Sequence, residues 1–166
     1  MTINGKVMKF GDNVDTDVIL PGPHLVHTDP YELAKHAMEG MDPNFPEKAA
    51  EGVIVVGGKN FGCGSSREQA PIALKYSGVK CVLAESFARI FYRNSITIGL
   101  PVLVCAGVSS KVKEGDALVV DLQSGKVEDI TNGSVLEATQ LPAFIMEILD
   151  DGGLIEHLKR RIETNE

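Results

Sequence analysis

The sequence predicts an α/β domain with a short parallel sheet at its centre, antiparallel strands added after it, and helices at the C-terminal end. Three observations carry this. Apolar runs alternate with helical patterns between Val53 and Cys105, as in strands buried on both faces and joined by helices. After Ser109 the pattern shifts to short strands divided by turn signals at Gln123-Ser124-Gly125-Lys126 and Asn132-Gly133. Two amphipathic stretches, residues 142–149 and 154–162, follow, split by Asp151-Gly152-Gly153.

Each element has a local reason. Lys6-Val7-Met8-Lys9-Phe10 reads as a short strand ended by the turn Gly11-Asp12-Asn13, and Asp17-Val18-Ile19-Leu20 as a second strand stopped by Pro21-Gly22-Pro23. Residues 24–28 read as a loop. Thr28 or Asp29 caps a short helix with Pro30 at its first position, running to Met38 and stopped by Gly40. The Pro-bearing stretch 41–52 reads as a surface connection.

Val53-Ile54-Val55-Val56 is a buried strand, followed by a glycine-spaced turn and a helix over 69–76, closed by Ser77-Gly78. Lys80-Cys81-Val82-Leu83-Ala84 and Pro101-Val102-Leu103-Val104-Cys105 are further buried strands. Between them Ser86 is expected to cap a helix over 87–95, with Phe87, Ile90 and Phe91 on one face. Strands over 117–121 and 127–130 complete the antiparallel part. Nothing demands a boundary, so residues 1–166 are expected to form one domain.

A net charge of −7 argues against nucleic acid or an anionic membrane as the main partner. No apolar run spans a bilayer, and the N-terminus lacks a basic region leading into an apolar one, so a soluble, cytoplasmic chain is expected. The three cysteines, Cys63, Cys81 and Cys105, are far apart, which argues against a disulfide framework and against a zinc or iron–sulfur site built by this chain alone. Cys81 and Cys105 sit in apolar runs and read as core residues. Cys63 adjoins a helix N-terminus, a position that lowers a thiol pKa.

The stretch Asn60-Phe61-Gly62-Cys63-Gly64-Ser65-Ser66-Arg67-Glu68 is the most informative in the chain. A strand, a glycine turn and a helix N-terminus together present free backbone N–H groups to an anion. Arg67 adds a planar fork that matches a carboxylate. Ser65 and Ser66 either cap the helix, or one of them acts as a base whose alkoxide these groups stabilise. The acidic run from Asp12 to Asp17 reads as a solvated turn, except that Asp17, leading an apolar strand, is placed to hold an arginine or histidine. It lacks the distant Glu of a calcium loop. His24 and His27 flank Leu25-Val26 without an evident third metal ligand and read as residues at a pocket mouth; His36 and His157 read as helix-surface histidines.

Asp12-Asn13-Val14-Asp15-Thr16-Asp17-Val18-Ile19-Leu20-Pro21-Gly22, the serine turn, and Ala84-Glu85-Ser86-Phe87-Ala88-Arg89-Ile90-Phe91-Tyr92-Arg93-Asn94-Ser95 with Gly99-Leu100-Pro101 occur in order. Together they resemble the small subunits of 3-isopropylmalate dehydratase (isopropylmalate isomerase), the separately encoded counterparts of the aconitase swivelling domain. The resemblance covers the first two thirds of the chain. It implies a swivelling β/β/α fold and a hydro-lyase of leucine biosynthesis. It also implies a large-subunit partner that carries a four-iron, four-sulfur cluster, with no cofactor or metal held by this chain. Carried over residue by residue, it makes Ser65 the catalytic base, Ser66 and Arg67 the holders of a substrate carboxylate, and Asp17 the acid of the composite site. The position of Cys63 is usually acidic in single-chain aconitases, whereas small subunits often have Cys there.

The resemblance also points to the segment after Pro21-Gly22 as the reader of the substrate's variable group. Relatives acting on a tricarboxylic acid tend to place an arginine where Val26 stands. An isopropyl group buried against Leu25 and Val26 gains about 2 kcal/mol, whereas an unpaired carboxylate there costs several kcal/mol. Isopropylmalate is therefore the expected hydroxy-diacid. A homoaconitase-type hydro-lyase, with His24 or His27 receiving a carboxylate, and a non-catalytic carboxylate-binding module are the alternatives.

Overall fold

The computed structural model describes residues 1–165. In chain order the first half contains β1 (Thr2–Lys9), α1 (Thr16–Ile19), a 3-10 helix (Gly22–Val26), α2 (Pro30–Ala34), α3 (Phe45–Ala49), β2 (Val53–Gly57) and α4 (Gln69–Ser77). Then follow β3 (Val79–Ala84), α5 (Arg89–Thr97), β4 (Val102–Val104), α6 (Val108–Lys111), β5 (Ala117–Asp121), β6 (Lys126–Asp129), β7 (Val135–Glu137), α7 (Ala143–Asp150) and α8 (Leu154–Thr164). One seven-stranded sheet runs in the order β4-β3-β2-β1-β5-β6-β7. β1 to β4 are parallel, and β5 joins the free side of β1 antiparallel. The expected parallel core with antiparallel additions and C-terminal helices is what forms.

The apolar runs explain the layering. Side chains alternate across a strand, so Val53 and Val55 join Val82 and Ala84 on one face, under α4, α5 and α7. Ile54 and Val56 join Cys81, Leu83 and Leu103 on the other, against Leu118, Val120, Val127 and Leu136. Every residue of β2 is buried, as a strand covered on both faces requires. The second layer lies inside a curl of the sheet. Cys105 and Ala138 form an antiparallel bridge, and the Thr139 N–H donates to the Val104 carbonyl at 2.8 Å, so the chain beyond β4 meets the chain beyond β7. The two ends of the sheet are thereby joined at this point.

Five local expectations are corrected. Residues 17–20 do not form a strand: the Asp15 carboxylate accepts from the Asp17 N–H at 2.7 Å and caps one helical turn, which buries Ile19 and Leu20. Of residues 24–28, expected as loop, the first three belong to the 3-10 helix over Gly22–Val26. The connection over 41–52 is not merely superficial, because α3 buries Phe45 and Ala49 in the core. The helix expected over 87–95 begins at Arg89, and Ser86 does not cap it; the Ser86 hydroxyl instead accepts from the Asn60 N–H at 2.8 Å. His157 is buried, with its Nδ1 2.7 Å from Asp151, rather than lying on the helix surface.

Candidate active site

Three loops leave the carboxyl ends of neighbouring parallel strands: 10–15 after β1, 58–68 after β2 and 85–88 after β3. Ligands of open parallel sheets bind at this end, because the loops diverge there around a crevice. The three loops are joined by backbone pairing. Gly62 N–H donates to the Val14 carbonyl and Thr16 N–H to the Cys63 carbonyl, each at 2.8 Å. On the other side Phe61 N–H donates to the Ser86 carbonyl at 3.0 Å, and Ala88 N–H to the Phe61 carbonyl at 2.9 Å. The serine turn is thus a frayed continuation of the sheet.

Glycine is required at two points of this turn. Gly62 has φ 83° and Gly64 φ 90°, the left-handed region that side chains avoid. A Cβ on Gly62 would overlap the Phe91 ring, and one on Gly64 the Asp15 carboxylate. Phe61 is fully buried and anchors the turn, its ring 5.4 Å from Phe91 and 6.0 Å from Phe87. The Thr16 hydroxyl donates to the Ser65 carbonyl at 2.6 Å, which fixes the serine's backbone and leaves its side chain free.

Ser65 and Ser66 are exposed and line a cavity of about 380 Å³ with Arg67, Arg89, Phe91 and Asn94. Neither hydroxyl caps α4. That helix starts at Gln69, beyond Glu68, and has no side-chain cap. The capping alternative is thereby removed. Two larger hollows, about 680 and 610 Å³, lie towards the amino ends of the parallel strands, around Val53 and Val79. They lack the glycine turn and the paired hydroxyls.

Arg67 is held on one side. Its Nη1 donates to the Leu20 carbonyl at 2.8 Å, and its Nη2 lies 2.7 Å from Asp17 Oδ1. Asp17 thus does what its position suggested: it holds an arginine. The helical turn α1, not a strand, is what delivers it. Leu25 is half-buried against the core and Val26 is 78% exposed; neither lines the cavity. Their helix nonetheless starts beside Arg67, since a methyl built on Gly22 would stand 3.9 Å from Arg67 Nη2.

The cysteines divide by environment. Burial pushes the Cys81 thiol to about 12 and the Cys105 thiol to about 11, and both lie inside the sheet layers. Cys63 was expected to be acidified by the helix N-terminus. The opposite holds: burial, with the Asp15 carboxylate beside it, raises its pKa, and α4 begins too far along the chain to counter this.

Four features carry no local signal in the sequence. Arg89 and Asn94 face the cavity although their motif had suggested no role for them. Glu85 ties the third loop down, accepting from Gly107 N–H at 2.9 Å and from the Ser109 N–H and hydroxyl at 3.0 and 2.8 Å. Burial works to raise the Glu85 carboxyl, but these bonds outweigh it and hold the group below its ordinary value. Finally, His36 is not a lone helix-surface residue; it stacks on His24, ring centroids 3.5 Å apart.

Residues 22–106 match the aconitase C-terminal domain family. Over 99% of its length the chain is 57% identical to the isopropylmalate/citramalate isomerase small subunit of Methanocaldococcus jannaschii, covering 98% of that protein. It is 56% identical to 3-isopropylmalate dehydratase small subunit 1 of Methanopyrus kandleri, over 95% of this chain and 93% of the relative. The crystal structure of a 3-isopropylmalate dehydratase from Methanocaldococcus jannaschii superposes with a TM-score of 0.93 at 48% identity, covering 99% of this chain and 98% of the other.

Proposed function

This chain belongs to the 3-isopropylmalate dehydratase small-subunit family, within the aconitase C-terminal domains, and on that footing we propose that its serine turn supplies the base and the carboxylate clamp of a hydro-lyase. A small subunit implies a large-subunit partner. In our reading the active site is completed only when the partner closes over the open face of the cavity, with residues 1–166 acting as one swivelling unit in the cytoplasm.

The reaction moves a hydroxyl between neighbouring carbons of isopropylmalate by dehydration and rehydration. Departure of hydroxide calls for a Lewis acid, which a four-iron, four-sulfur cluster on the large subunit supplies. The exposed, unpaired hydroxyl of Ser65 takes the proton from the adjacent carbon as the alkene forms, and returns it during rehydration. Its alkoxide form gains from the Arg67 guanidinium in the same cavity. Arg67, held by Asp17 and the Leu20 carbonyl, keeps remaining donors for a substrate carboxylate, and the Ser66 hydroxyl is placed to join it.

The variable group of the substrate meets the 3-10 helix through Leu25 and Val26, once that helix and the partner are brought together. No arginine stands on this segment to receive an additional carboxylate, which favours a small alkyl group over a tricarboxylic acid. The relative named for both isopropylmalate and citramalate fits an apolar pocket that accepts an isopropyl or a methyl group.

The observation that carries this reading is the solvent-facing Ser65 beside a fixed Arg67 at the carboxyl end of the sheet. The test mixes the chain with a reconstituted large subunit and follows alkene absorbance in the ultraviolet. Turnover of isopropylmalate that Ser65→Ala abolishes, with subunit assembly intact, is expected. Retained turnover in that variant would remove Ser65 from the mechanism. Carboxylate binding by the lone chain, without turnover of any hydroxy-diacid, would replace the enzyme reading with a binding module.

A further inference from the structure

We propose that His24, His27, His36 and Glu39 form a binding site for a borderline transition-metal dication of the zinc class. The local backbone makes the site. His27 N–H donates to the His24 carbonyl at 3.2 Å, and Glu39 N–H to the His36 carbonyl at 3.2 Å. Both are i to i+3 bonds of the 3-10 kind, and at three residues per turn the side chains at i and i+3 eclipse. Two such turns therefore present two stacked pairs, His24 over His27 and His36 over Glu39. The fold sets one pair against the other.

The result is a converging donor set. One ligand nitrogen from each of His24, His27 and His36 lies within 4.8 Å of the others, and all three residues are half-buried. Glu39 Oε2 sits 2.8 Å from His24 Nε2 and 2.9 Å from His36 Nδ1. Three imidazoles suit zinc, nickel and copper, and Glu39, beside two of them, is the carboxylate at hand to complete a tetrahedral zinc shell. The rings now lie nearly parallel, 7° apart for His24 and His36 and 8° for His27 and His36. They must fan apart to aim their lone pairs at a common ion. The histidine χ2 well is broad enough for that rotation, and the 3-10 helix that carries His24 buries no residue. Occupancy would tie the 3-10 helix to the turn after α2. The two-histidine spacing at 24 and 27 carried no metal reading because the third nitrogen comes from a different turn.

The test titrates the purified, metal-free full chain with zinc by calorimetry and with cobalt by visible absorption. Binding of a single ion per chain is expected, with the intense visible bands of four-coordinate cobalt. His36→Ala and His24→Gln are each expected to weaken zinc binding by roughly tenfold or more. Cys63→Ser should leave it unchanged, which excludes the partly buried thiol as the ligand. Circular dichroism of the metal-free variants separates loss of the site from loss of the fold. Absence of binding, binding unaltered in both histidine variants, or binding lost with Cys63 would overturn the proposal. The assay needs neither substrate nor large subunit, so its failure leaves the reading of Ser65 untouched.

Discussion

The serine turn and the histidine-bearing 3-10 helix, which begins beside Arg67, are held in different ways. The serine turn is paired on both sides to neighbouring loops, anchored by a fully buried Phe61 and shaped by two glycines that admit no side chain. The 3-10 helix over Gly22–Val26 contains no buried residue, and Val26 is 78% exposed. Its internal bonds are the weaker i to i+3 kind, His24 N–H to the Pro21 carbonyl among them at 3.0 Å. The contrast assigns labour. Proton transfer tolerates little misplacement, so the proposed base sits where many contacts over-determine its position. The recognition we propose for the variable alkyl group sits where substitution costs little stability.

The sharpest way to break this comparison is at the anchor. Phe61→Ala should lower stability by about 3–5 kcal/mol in a denaturant titration and remove turnover with it, because the turn loses its buried wedge. A loss below about 1 kcal/mol would show that the turn does not depend on its anchor. Next comes the clamp. Arg67→Lys keeps the charge but loses the fork that meets both Asp17 and the Leu20 carbonyl, so kcat/KM should fall by roughly thirtyfold, with native stability nearly retained.

On the other side of the comparison, Val26→Arg should leave the melting temperature nearly unchanged, as the residue is exposed, while shifting preference from isopropylmalate towards a tricarboxylic acid by about 1–3 kcal/mol in the ratio of kcat/KM values. A large stability change there would mean that the recognising segment is as constrained as the serine turn. The smallest effect concerns the third loop. The Glu85 carboxyl titrates below its ordinary value of 4.5, so it contributes stability above that pH and loses it as pH falls through the lower folded value. The stability difference between the parent and Glu85→Gln, read from denaturant midpoints, should be full at neutral pH and shrink below pH 4.5. A constant difference across that range would remove the carboxylate from loop closure.

Most of the frame was legible in the chain because its signals are local. The buried runs at residues 53–56 and 80–84 could only be strands covered on both faces, and the glycines at 62 and 64 marked the turn that exposes Ser65. Arg67 and Asp17 were each picked out by position, and they meet at 2.7 Å. The misses share a physical cause. Residues 17–20 look like a strand by composition, but a single capping carboxylate from Asp15 favours a helical turn, and the apolar pair Ile19 and Leu20 is buried equally well that way. For the Cys63 thiol the nearby helix N-terminus is the local signal, whereas burial and the Asp15 carboxylate decide the direction of its pKa. His36 and Glu39 meet His24 only because two separate turns pack together.

By itself, then, the sequence determined the alternation of strands and helices, the exposed serines on a glycine turn and the family to which they belong. Hydrophobic periodicity and backbone sterics act over a few residues and need no tertiary context. Only the tertiary structure decided what surrounds each charge: which carbonyl fixes Arg67, which carboxylate raises Cys63, which turns bring the imidazoles together. Electrostatic and hydrogen-bond partners are set by distance in space, and the folded chain alone supplies those distances.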